Sequence, residues 1–289
     1  MSIPMVCFVT WNRLGLTIQN LKALFETTDD FELYIVDNNS QDGTWEYLQS
    51  INDSRIKYKH RFGINRGVVY AINYILNKRK KEQYFIFVEN DVCIKTKDWI
   101  TKFMNVMEVF PEVGLLGGLR KDYFKSKGIV PKQYKKRDTS YYSTRMVLGN
   151  CNCIRPEVFD YIGFWNEETY GGDKDMSIRI NDFTPFTIGY IDDIEIIQSQ
   201  KILCNKCLYK DKCSLVNKGI TCFDIYCKNY MHQQYASRVK QKQQMFLQEV
   251  KAGKRTIYCT SVHADKYDQY YYNQQWAQEN FDFFIKNAN

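Results

Sequence analysis

The sequence lacks any apolar run close to the roughly 20 residues that a membrane-spanning helix needs. Its first residues also lack the basic and then apolar layout of a secretory signal peptide. These two absences predict a cytoplasmic protein without a transmembrane segment. No internal repeat is visible, and a composition of 44% hydrophobic and 25% charged residues argues against disorder.

Without an export signal, most of the ten cysteines are expected to be reduced or bound to metal. Five fall in strand-like contexts and are predicted to be small core residues: Cys7, Cys93, Cys151, Cys153 and Cys259. The others lie within 24 lysine-rich residues: Cys204, Cys207, Cys213, Cys222 and Cys227. The C-x2-C spacing that opens this cluster predicts a structural Zn²⁺ held by four of the five thiolates. An iron–sulfur cluster and unpaired reduced thiols are the alternatives.

The net charge of +7 is distributed very unevenly along the chain. Residues 120–145 carry nine lysines and arginines against two acidic residues, and residues 201–255 carry twelve against three. The rest of the chain is therefore acidic. An acidic body with two basic segments is typical of a protein that holds a cation at one surface and meets a polyanion at another, although solvated lysine-rich loops give the same pattern.

Strands and helices alternate in the first third of the chain. Runs of β-branched and aromatic residues predict strands over 4–10, 32–36 and 84–88. Apolar residues three or four positions apart predict the helices: Leu14, Ile18, Leu21 and Phe25; Trp45 and Leu48; Val69, Ile72 and Leu76; Ile100, Phe103 and Met107. This order predicts an α/β fold whose mostly parallel, right-handed sheet has helices on both faces.

The second half of the chain is less regular. Residues 120–145 show no periodicity and predict a long basic loop. Regular elements are expected after it: a strand over 146–154, a short helix over 156–162, one or two strands over 186–197, and helices from about residue 231. We divide the chain into a core over 1–200 with halves at 1–118 and 119–200, a cysteine-rich insert over 201–230, and a mostly helical region over 231–289 that packs on the core.

Two predicted strands end in carboxylates and amides. Asp37 follows one, and Glu89-Asn90-Asp91 follows the other. Open α/β sheets bind nucleotides at the edge where parallel strands end. Carboxylates at that edge suit Mn²⁺ or Mg²⁺ bridging two phosphates, and Asp37 could accept hydrogen bonds from a base or ribose. Taken singly, each acid is also what a turn or a helix cap uses.

A glycine-flanked loop, Gly63-Ile64-Asn65-Arg66-Gly67, precedes a predicted helix. Its backbone N–H groups, the helix N-terminus and Arg66 could all face a phosphate group. The loop therefore adds a third element to the predicted nucleotide site.

These segments occur in an order that resembles family 2 glycosyltransferases of the GT-A fold: Thr10-Trp11-Asn12-Arg13, Val36-Asp37-Asn38-Asn39-Ser40-Gln41-Asp42-Gly43-Thr44, Gly63-Ile64-Asn65-Arg66-Gly67 with Asn73 beyond it, and Glu89-Asn90-Asp91. Residues 148–159 and 162–167 look like that family's acceptor side, and 171–179 looks like its acidic motif. The resemblance covers about residues 3–197, and it implies that 1–118 is the nucleotide-sugar half of the core and 119–200 the acceptor half. It implies an inverting, metal-dependent transferase that uses a nucleotide sugar, with a UDP-sugar as the expected donor.

The resemblance also implies roles by position. Asp37 would read the donor's base, with the other donor contacts made by Thr10, Asn12, Asn65, Arg66 and Asn90. Asp91 stands at the last acid of the family's Asp-x-Asp motif and would hold Mn²⁺ or Mg²⁺, while Glu89 replaces the first acid. Asp173 stands at the general base, which takes a proton from the acceptor hydroxyl. A helix N-cap is the alternative interpretation of Asp173.

The family often supplies a late histidine to the metal. Near Gln198, where it is expected, this chain has none. His263 is the predicted substitute and His232 the second candidate, while a purely structural role is the alternative for either.

The two basic segments favour an acceptor that carries negative charge. Candidates are a surface glycan, a teichoic-type polymer, an anionic lipid head group, or nucleic acid such as DNA with a hydroxylated base that would have to be flipped out. The competing class of function is a non-catalytic module on a degenerate transferase fold, which would use its zinc insert and basic loop to bind a polyanion.

Overall fold

The structure, a computed structural model, describes residues 2–118, 124, 128, 130–198, 207–222, 224–225, 233–265 and 271–287. Eleven strands lie within these residues: β1 Met5–Thr10, β2 Glu32–Asp37, β3 Ile56–Arg61, β4 Phe85–Glu89, β5 Val92–Ile94, β6 Val113–Gly118, β7 Lys132–Lys136, β8 Thr139–Ser143, β9 Cys151–Ile154, β10 Thr187–Ile191 and β11 Ile196–Gln198. Eight α-helices accompany them: α1 Leu14–Phe25, α2 Thr44–Ser50, α3 Val68–Leu76, α4 Trp99–Val109, α5 Val158–Ile162, α6 Gly172–Phe183, α7 Gln233–Lys251 and α8 Gln274–Asn287.

Nine of the described strands form one sheet in the order β3-β2-β1-β4-β9-β6-β10-β8-β7. The first four are parallel to their neighbours, and so is the β6–β10 pair. Between these two parallel parts, β9 runs antiparallel to both β4 and β6. The strands β5 and β11 pair in a separate antiparallel ribbon. The predicted α/β class, with a large sheet and a helical C-terminal part, is confirmed.

The strand register brings distant polar residues to one edge of the sheet. Thr10 lies opposite Asp37 in the β1–β2 pairing, and Val9 lies opposite Glu89 in the β1–β4 pairing. Because these strands are parallel, their carboxyl ends finish side by side. The acids predicted to meet at this edge therefore reach it from β2 and β4, the two strands that flank β1.

The hydrophobic core occupies both faces of the sheet because successive side chains of β1 point in opposite directions. Met5, Cys7 and Val9 belong to the cluster that includes α3 and α8. Val6 and Phe8 belong to the cluster that includes α1 and α4. Both faces of β1 are thus covered by helices, which explains why its sequence is continuously apolar rather than alternating.

The prediction of an irregular loop over 120–145 is wrong for its second half. There β7 and β8 pair as an antiparallel hairpin at the end of the sheet. Tyr134 and Tyr141 stack across the two strands with ring centroids 5.3 Å apart. The lysines of β7 are exposed at this edge, so the strand carries almost none of the apolar alternation that identifies a half-buried strand.

Other strands also depart from the prediction. The edge strand β3 has the polar sequence IKYKHR, and β6 has the glycine-rich sequence VGLLGG, so neither was predicted from periodicity. The strand expected over 146–154 is limited to β9, and the segment 186–197 forms two strands, β10 and β11, in different sheets. Whether a short segment forms a strand depends more on its neighbours in the sheet than on its own sequence.

The C-terminal helices are tied to the core by a buried ion pair. Arg255, which follows α7, contacts Glu168 with an Nη2–Oε2 distance of 2.5 Å, and the two side chains are 4% and 5% exposed. The guanidinium of Arg255 also lies over the rings of Phe246 and Tyr272. This charged contact and its aromatic surroundings join the segment after α7 to the core.

Glu167, beside that ion pair, joins three parts of the chain. Its carboxylate accepts hydrogen bonds from Asn73 on α3, from Ser261 and the Val262 N–H, and from Tyr271. Burial raises the pKa of Glu167 to about 7, although several of these donors lower it.

The five cysteines predicted as core residues are buried. Of the cysteine-rich segment, the described part contains Cys207, Cys213 and Cys222, whereas Cys204 and Cys227 lie outside the described residues. Cys207 packs against α1 where Gly15 leaves room, since a Cβ at Gly15 would lie 2.4 Å from its Sγ. The predicted zinc site stays a prediction. No helix in the described ranges is long and apolar enough to cross a membrane.

Candidate active site

A cavity of about 470 Å³ opens where β1 and β4 end. Part of its wall consists of polar residues from the strand ends, the loops and the start of α6: Thr10, Asn38, Asn65, Asn90 and Asp173. The helices α7 and α8 supply another part of the wall: Tyr235, Val239, Lys240, Gln243 and Phe284. The cavity therefore lies between the core and the C-terminal helices.

Asp37 organises the loop at the end of β2. Its carboxylate accepts hydrogen bonds from the N–H and the hydroxyl of Ser40, and Arg61 Nε lies 3.4 Å from Oδ2. Asp37 has no exposed surface, and this burial raises the pKa of its carboxyl to about 6 against the lowering effect of Ser40 and Arg61. A direct contact of Asp37 with a base would require that one of these partners give up its bond.

Asn12 is a second organiser of the same loop. Its backbone N–H donates to the Ser40 hydroxyl at 2.7 Å, and its side-chain oxygen accepts from the Gln41 N–H at 2.8 Å. Asn12 has a φ of 54°, in the left-handed region that asparagine tolerates better than most residues. The structure places Asn12 behind the cavity wall, where it holds the β1 and β2 loops together.

Arg13 spans the end of β4. Its Nη1 lies 3.1 Å from Asp91 Oδ2, and its Nη2 donates to Asn90 Oδ1 at 2.5 Å. Asn90 in turn donates to the hydroxyl of Thr10 at 3.0 Å. The guanidinium and the Asp91 carboxylate are both largely buried, with side-chain exposures of 11% and 3%.

Asp173 stands in the first turn of α6 and lines the cavity. Its Oδ2 accepts a hydrogen bond from the Gly149 N–H at 2.6 Å, and the N-cap position of the helix is occupied by Gly171 instead. The helix-cap interpretation therefore does not describe this residue. Burial raises the pKa of Asp173 to about 6, while the bond from Gly149 acts in the opposite direction.

Glu89 links Asp173 to Asp91 electrostatically. Burial raises the pKa of Glu89 well above its ordinary value, and the charges of Asp91 and Asp173 raise it further. Asp173, which is far from Glu89 in the sequence, thus lies close enough to it for the two carboxylates to repel each other.

The 63–67 loop is held by Tyr170, from the second half of the core. The Tyr170 hydroxyl donates to Arg66 O at 2.6 Å and accepts from the Tyr70 N–H. Gly67 has a φ of +87°, and a Cβ at this position would lie 2.6 Å from both Tyr170 and Phe284. Asn65 lines the cavity, whereas the guanidinium of Arg66 lies over the ring of Tyr70 with its Cζ 5.4 Å from the centroid.

The carboxylates at the end of β4 fit a divalent cation that binds together with a phosphate ligand. Asp91 Oδ1 is buried and has no hydrogen-bond partner, so a hard oxygen ligand is already desolvated. No three histidine, cysteine, aspartate or glutamate side chains of the described residues are arranged to hold a metal ion. A Mg²⁺-like ion is usually held by one or two carboxylates plus phosphates and waters, which is what this donor set offers.

His263 packs against α3. Its Nε2 lies 3.1 Å from Tyr70 O, and its ring packs edge-on against Tyr70 and Tyr74. Burial lowers the pKa of His263 to about 4, so the ring is neutral. We leave His263 out of the ligand set proposed below, and His232 lies outside the described residues.

Several cavity residues were not predicted from the sequence. The contact of Arg13 with Asp91 was missed although Arg13 lies in a recognised motif, because arginine after a strand gives no signal of its partner. Lys240 and Gln243 were missed because the polar face of a C-terminal amphipathic helix is normally exposed to solvent. The amphipathic pattern of α7 indicates which residues share a face of the helix, but it does not indicate that Lys240 and Gln243 line a cavity.

A family model described as glycosyl transferase family 2 matches residues 2–163. No curated protein sequence matches the chain. Among solved structures, a mannosyltransferase from Pyrobaculum calidifontis in complex with GDP-Man and Mn²⁺ is 14% identical with a TM-score of 0.55, and the match covers 98% of this chain and 85% of that one. The GalNAc-T7 structure with UDP, GalNAc and Mn²⁺ is 13% identical with a TM-score of 0.51, over 67% of this chain and 43% of that one.

The TarS 1-349 structure from S. aureus in complex with UDP-GlcNAc is 14% identical with a TM-score of 0.48, over 70% of this chain. The match spans 61% of that chain, and 36% of another TarS structure. The mannosyltransferase and GalNAc-T7 structures confirm the GT-A fold, and the family model covers more than half of the sequence. The chain belongs to glycosyltransferase family 2.

Proposed function

We propose that the protein is an inverting glycosyltransferase that moves a sugar from a nucleoside diphosphate sugar to a hydroxyl group of an acceptor. The observation that carries this proposal is the position of Asp173. Its carboxylate lines the cavity, is oriented by the Gly149 N–H, and lies near the acids that end β4. A base at this place can face an acceptor while the donor diphosphate lies at the strand ends.

For the donor, we propose direct contacts from the predicted residues that line the cavity, namely Thr10, Asn65 and Asn90. Asn12, Asp37 and Arg66 would support the donor site by fixing the loops around it. One structural neighbour holds GDP-Man with Mn²⁺ and another holds UDP with Mn²⁺, which supports the same donor class here. A UDP-sugar is the donor that we propose to test first.

The reaction is a single displacement. Asp173 accepts the proton of the acceptor hydroxyl as that oxygen forms a bond to the anomeric carbon. The bond from this carbon to the phosphate oxygen breaks, and the nucleoside diphosphate leaves with the electron pair. Attack from the side opposite to the leaving group inverts the anomeric centre. Asp91, with Glu89 beside it, would hold Mn²⁺ or Mg²⁺, which neutralises charge on the departing diphosphate when bound.

For the acceptor, we propose a molecule that carries negative charge. Lys174 and Lys240 are exposed and line the cavity, and the β7–β8 hairpin presents three further exposed lysines, Lys132, Lys135 and Lys136. Cations that line a cleft, as Lys174 and Lys240 do, raise the local concentration of anionic ligands. Three kinds of acceptor carry negative charge: a phosphate-containing polymer, a surface glycan with acidic groups, and a nucleic acid with a hydroxylated base such as DNA.

We expect kcat/KM to fall as the pH drops through about 6. A general base must be ionised to accept a proton, and burial raises the pKa of Asp173 to about 6. The carboxylate is therefore active above this pH, and the rate should fall about tenfold per pH unit below it. A pH profile of kcat/KM measures this. A flat profile across this range would contradict the assignment of Asp173 as the base.

We expect Asp91→Asn to weaken UDP binding in the presence of Mn²⁺ at least about tenfold, because loss of a carboxylate ligand costs metal affinity. Calorimetry with UDP, with and without Mn²⁺, measures the effect. UDP binding without Mn²⁺ should change much less. The matched control is Asp192→Asn, which removes an exposed acid. Equal UDP affinity of the Asp91 and Asp192 variants in Mn²⁺ would contradict the proposed metal site.

A further inference from the structure

Arg13 occupies the carboxylate that the proposed metal would need. Its guanidinium bridges Asn90 Oδ1 and Asp91 Oδ2, at 2.5 Å and 3.1 Å. The other oxygen of Asp91 is buried without a partner. One oxygen of the Asp91 carboxylate is therefore paired with the Arg13 guanidinium, and the other oxygen has no partner.

The backbone holds Arg13 in this position. Arg13 has φ 63° and ψ 46°, a left-handed conformation that is uncommon for arginine. The residues on either side are fixed, since the Asn12 N–H donates to the Ser40 hydroxyl and the Leu14 N–H donates to Asp42 Oδ2. The loop thus fixes the backbone of Arg13, and the long side chain extends from it to Asn90 and Asp91.

A divalent ion at Asp91 and the guanidinium of Arg13 repel each other strongly at such short distance in a largely buried site. If Arg13 leaves Asp91, its charge needs another anionic partner, because an unpaired buried charge is costly. Arginine binds phosphate oxygens in a bidentate manner, so a diphosphate in the same cavity is a suitable partner. Arg13 lines that cavity.

We propose that Arg13 is an internal competitor of the metal ion, and that it makes metal binding at Asp91 conditional on the donor's diphosphate. This inference rests on the metal and donor sites proposed above. Without nucleotide, Arg13 neutralises Asp91 and keeps the metal affinity low. With nucleotide, Arg13 moves to the diphosphate and releases Asp91 to the metal. Metal and nucleotide then bind cooperatively, and each must strengthen the other by the same factor.

The test is a titration with Mn²⁺ followed by electron paramagnetic resonance, with and without UDP, on the full chain. In the parent protein, UDP should tighten Mn²⁺ binding by about 5- to 150-fold, the usual range of such coupling. Arg13→Gln should tighten Mn²⁺ binding without UDP at least about tenfold and reduce the effect of UDP by a similar factor. Arg13→Asn is the second variant, because asparagine suits the left-handed backbone if glutamine impairs folding.

Lys174→Gln is the matched control, since Lys174 is a cation in the same cavity that makes no contact with Asp91. It corrects for the general effect of removing one positive charge. If Mn²⁺ binds to both Arg13 variants no more tightly than to the Lys174 variant, or if the UDP effect is unchanged in them, the competition does not exist. If Asp91→Asn binds Mn²⁺ with UDP as well as the parent does, the proposed metal site itself is wrong, and the inference falls with it.

Discussion

Asp173→Asn is expected to reduce sugar transfer about 10³-fold while donor binding stays close to that of the parent, since a positioned general base typically contributes 10²- to 10⁴-fold. Asparagine keeps the size of the side chain and an oxygen that can accept the Gly149 N–H. What it loses is the ability to take a proton from the acceptor. The measurement is initial-rate transfer together with calorimetric binding of UDP.

The matched control for this variant is Asp182→Asn on the same helix, α6. Asp182 contacts only Arg145 at 3.5 Å among the ion pairs of the described residues, and the Arg145 side chain is 86% exposed. This variant should transfer sugar at the parental rate. If Asp173→Asn also transfers at the parental rate, Asp173 is not the base. If it loses UDP binding as strongly as transfer, its role is in donor binding instead.

Arg255→Met is expected to destabilise the protein by about 3–5 kcal/mol, because it leaves Glu168 buried without its charged partner. The substitution also removes the two contacts of the guanidinium with aromatic rings, those of Phe246 and Tyr272. The free energy of unfolding from urea denaturation measures the loss. Because α7 forms part of the cavity wall, the variant should also weaken acceptor turnover more than UDP binding.

Arg145→Met is the control for this variant, since Arg145 also pairs with an aspartate but is mostly exposed. An exposed ion pair is worth about 0–1 kcal/mol, so its loss should be small. The double variant Arg255→Met with Glu168→Leu should recover part of the stability, because no buried charge then remains unpaired. Similar losses in Arg255→Met and Arg145→Met would show that the buried pair does not anchor the C-terminal helices.

The first half of the fold was predicted closely from local pattern. The helix over 14–25 and the strands ending at Asp37 and Glu89 have strong apolar periodicity and abrupt polar ends, so their type and place follow from the sequence. The hairpin β7–β8 and the edge strand β3 were not predicted. Their residues are mostly polar, and they become strands because a neighbouring strand offers them hydrogen-bond partners.

The candidate site, too, could be predicted only in part. The placement of Asp37 and Glu89 at one sheet edge could be predicted, because parallel strands end together. That Asp37 is fully buried beneath Ser40 and Arg61 could not, since both partners depend on how the loops fold over it. The structural setting of His263 against Tyr70 was equally unpredictable, because it joins residues 193 positions apart.

By itself, the sequence determined the family, the helices and the strands β1, β2 and β4 of the first 118 residues, and the identity of the acids, because these depend on local periodicity and on motifs of a few residues. Only the tertiary structure decided which groups these acids face: Arg13 on Asp91, Gly149 on Asp173, and the C-terminal helices on the cavity. Such pairings depend on packing between segments tens of residues apart, and a local sequence pattern does not indicate which distant segments will pack together. For this reason the sequence indicated the chemistry available to the protein, and the fold decided how the charges are balanced.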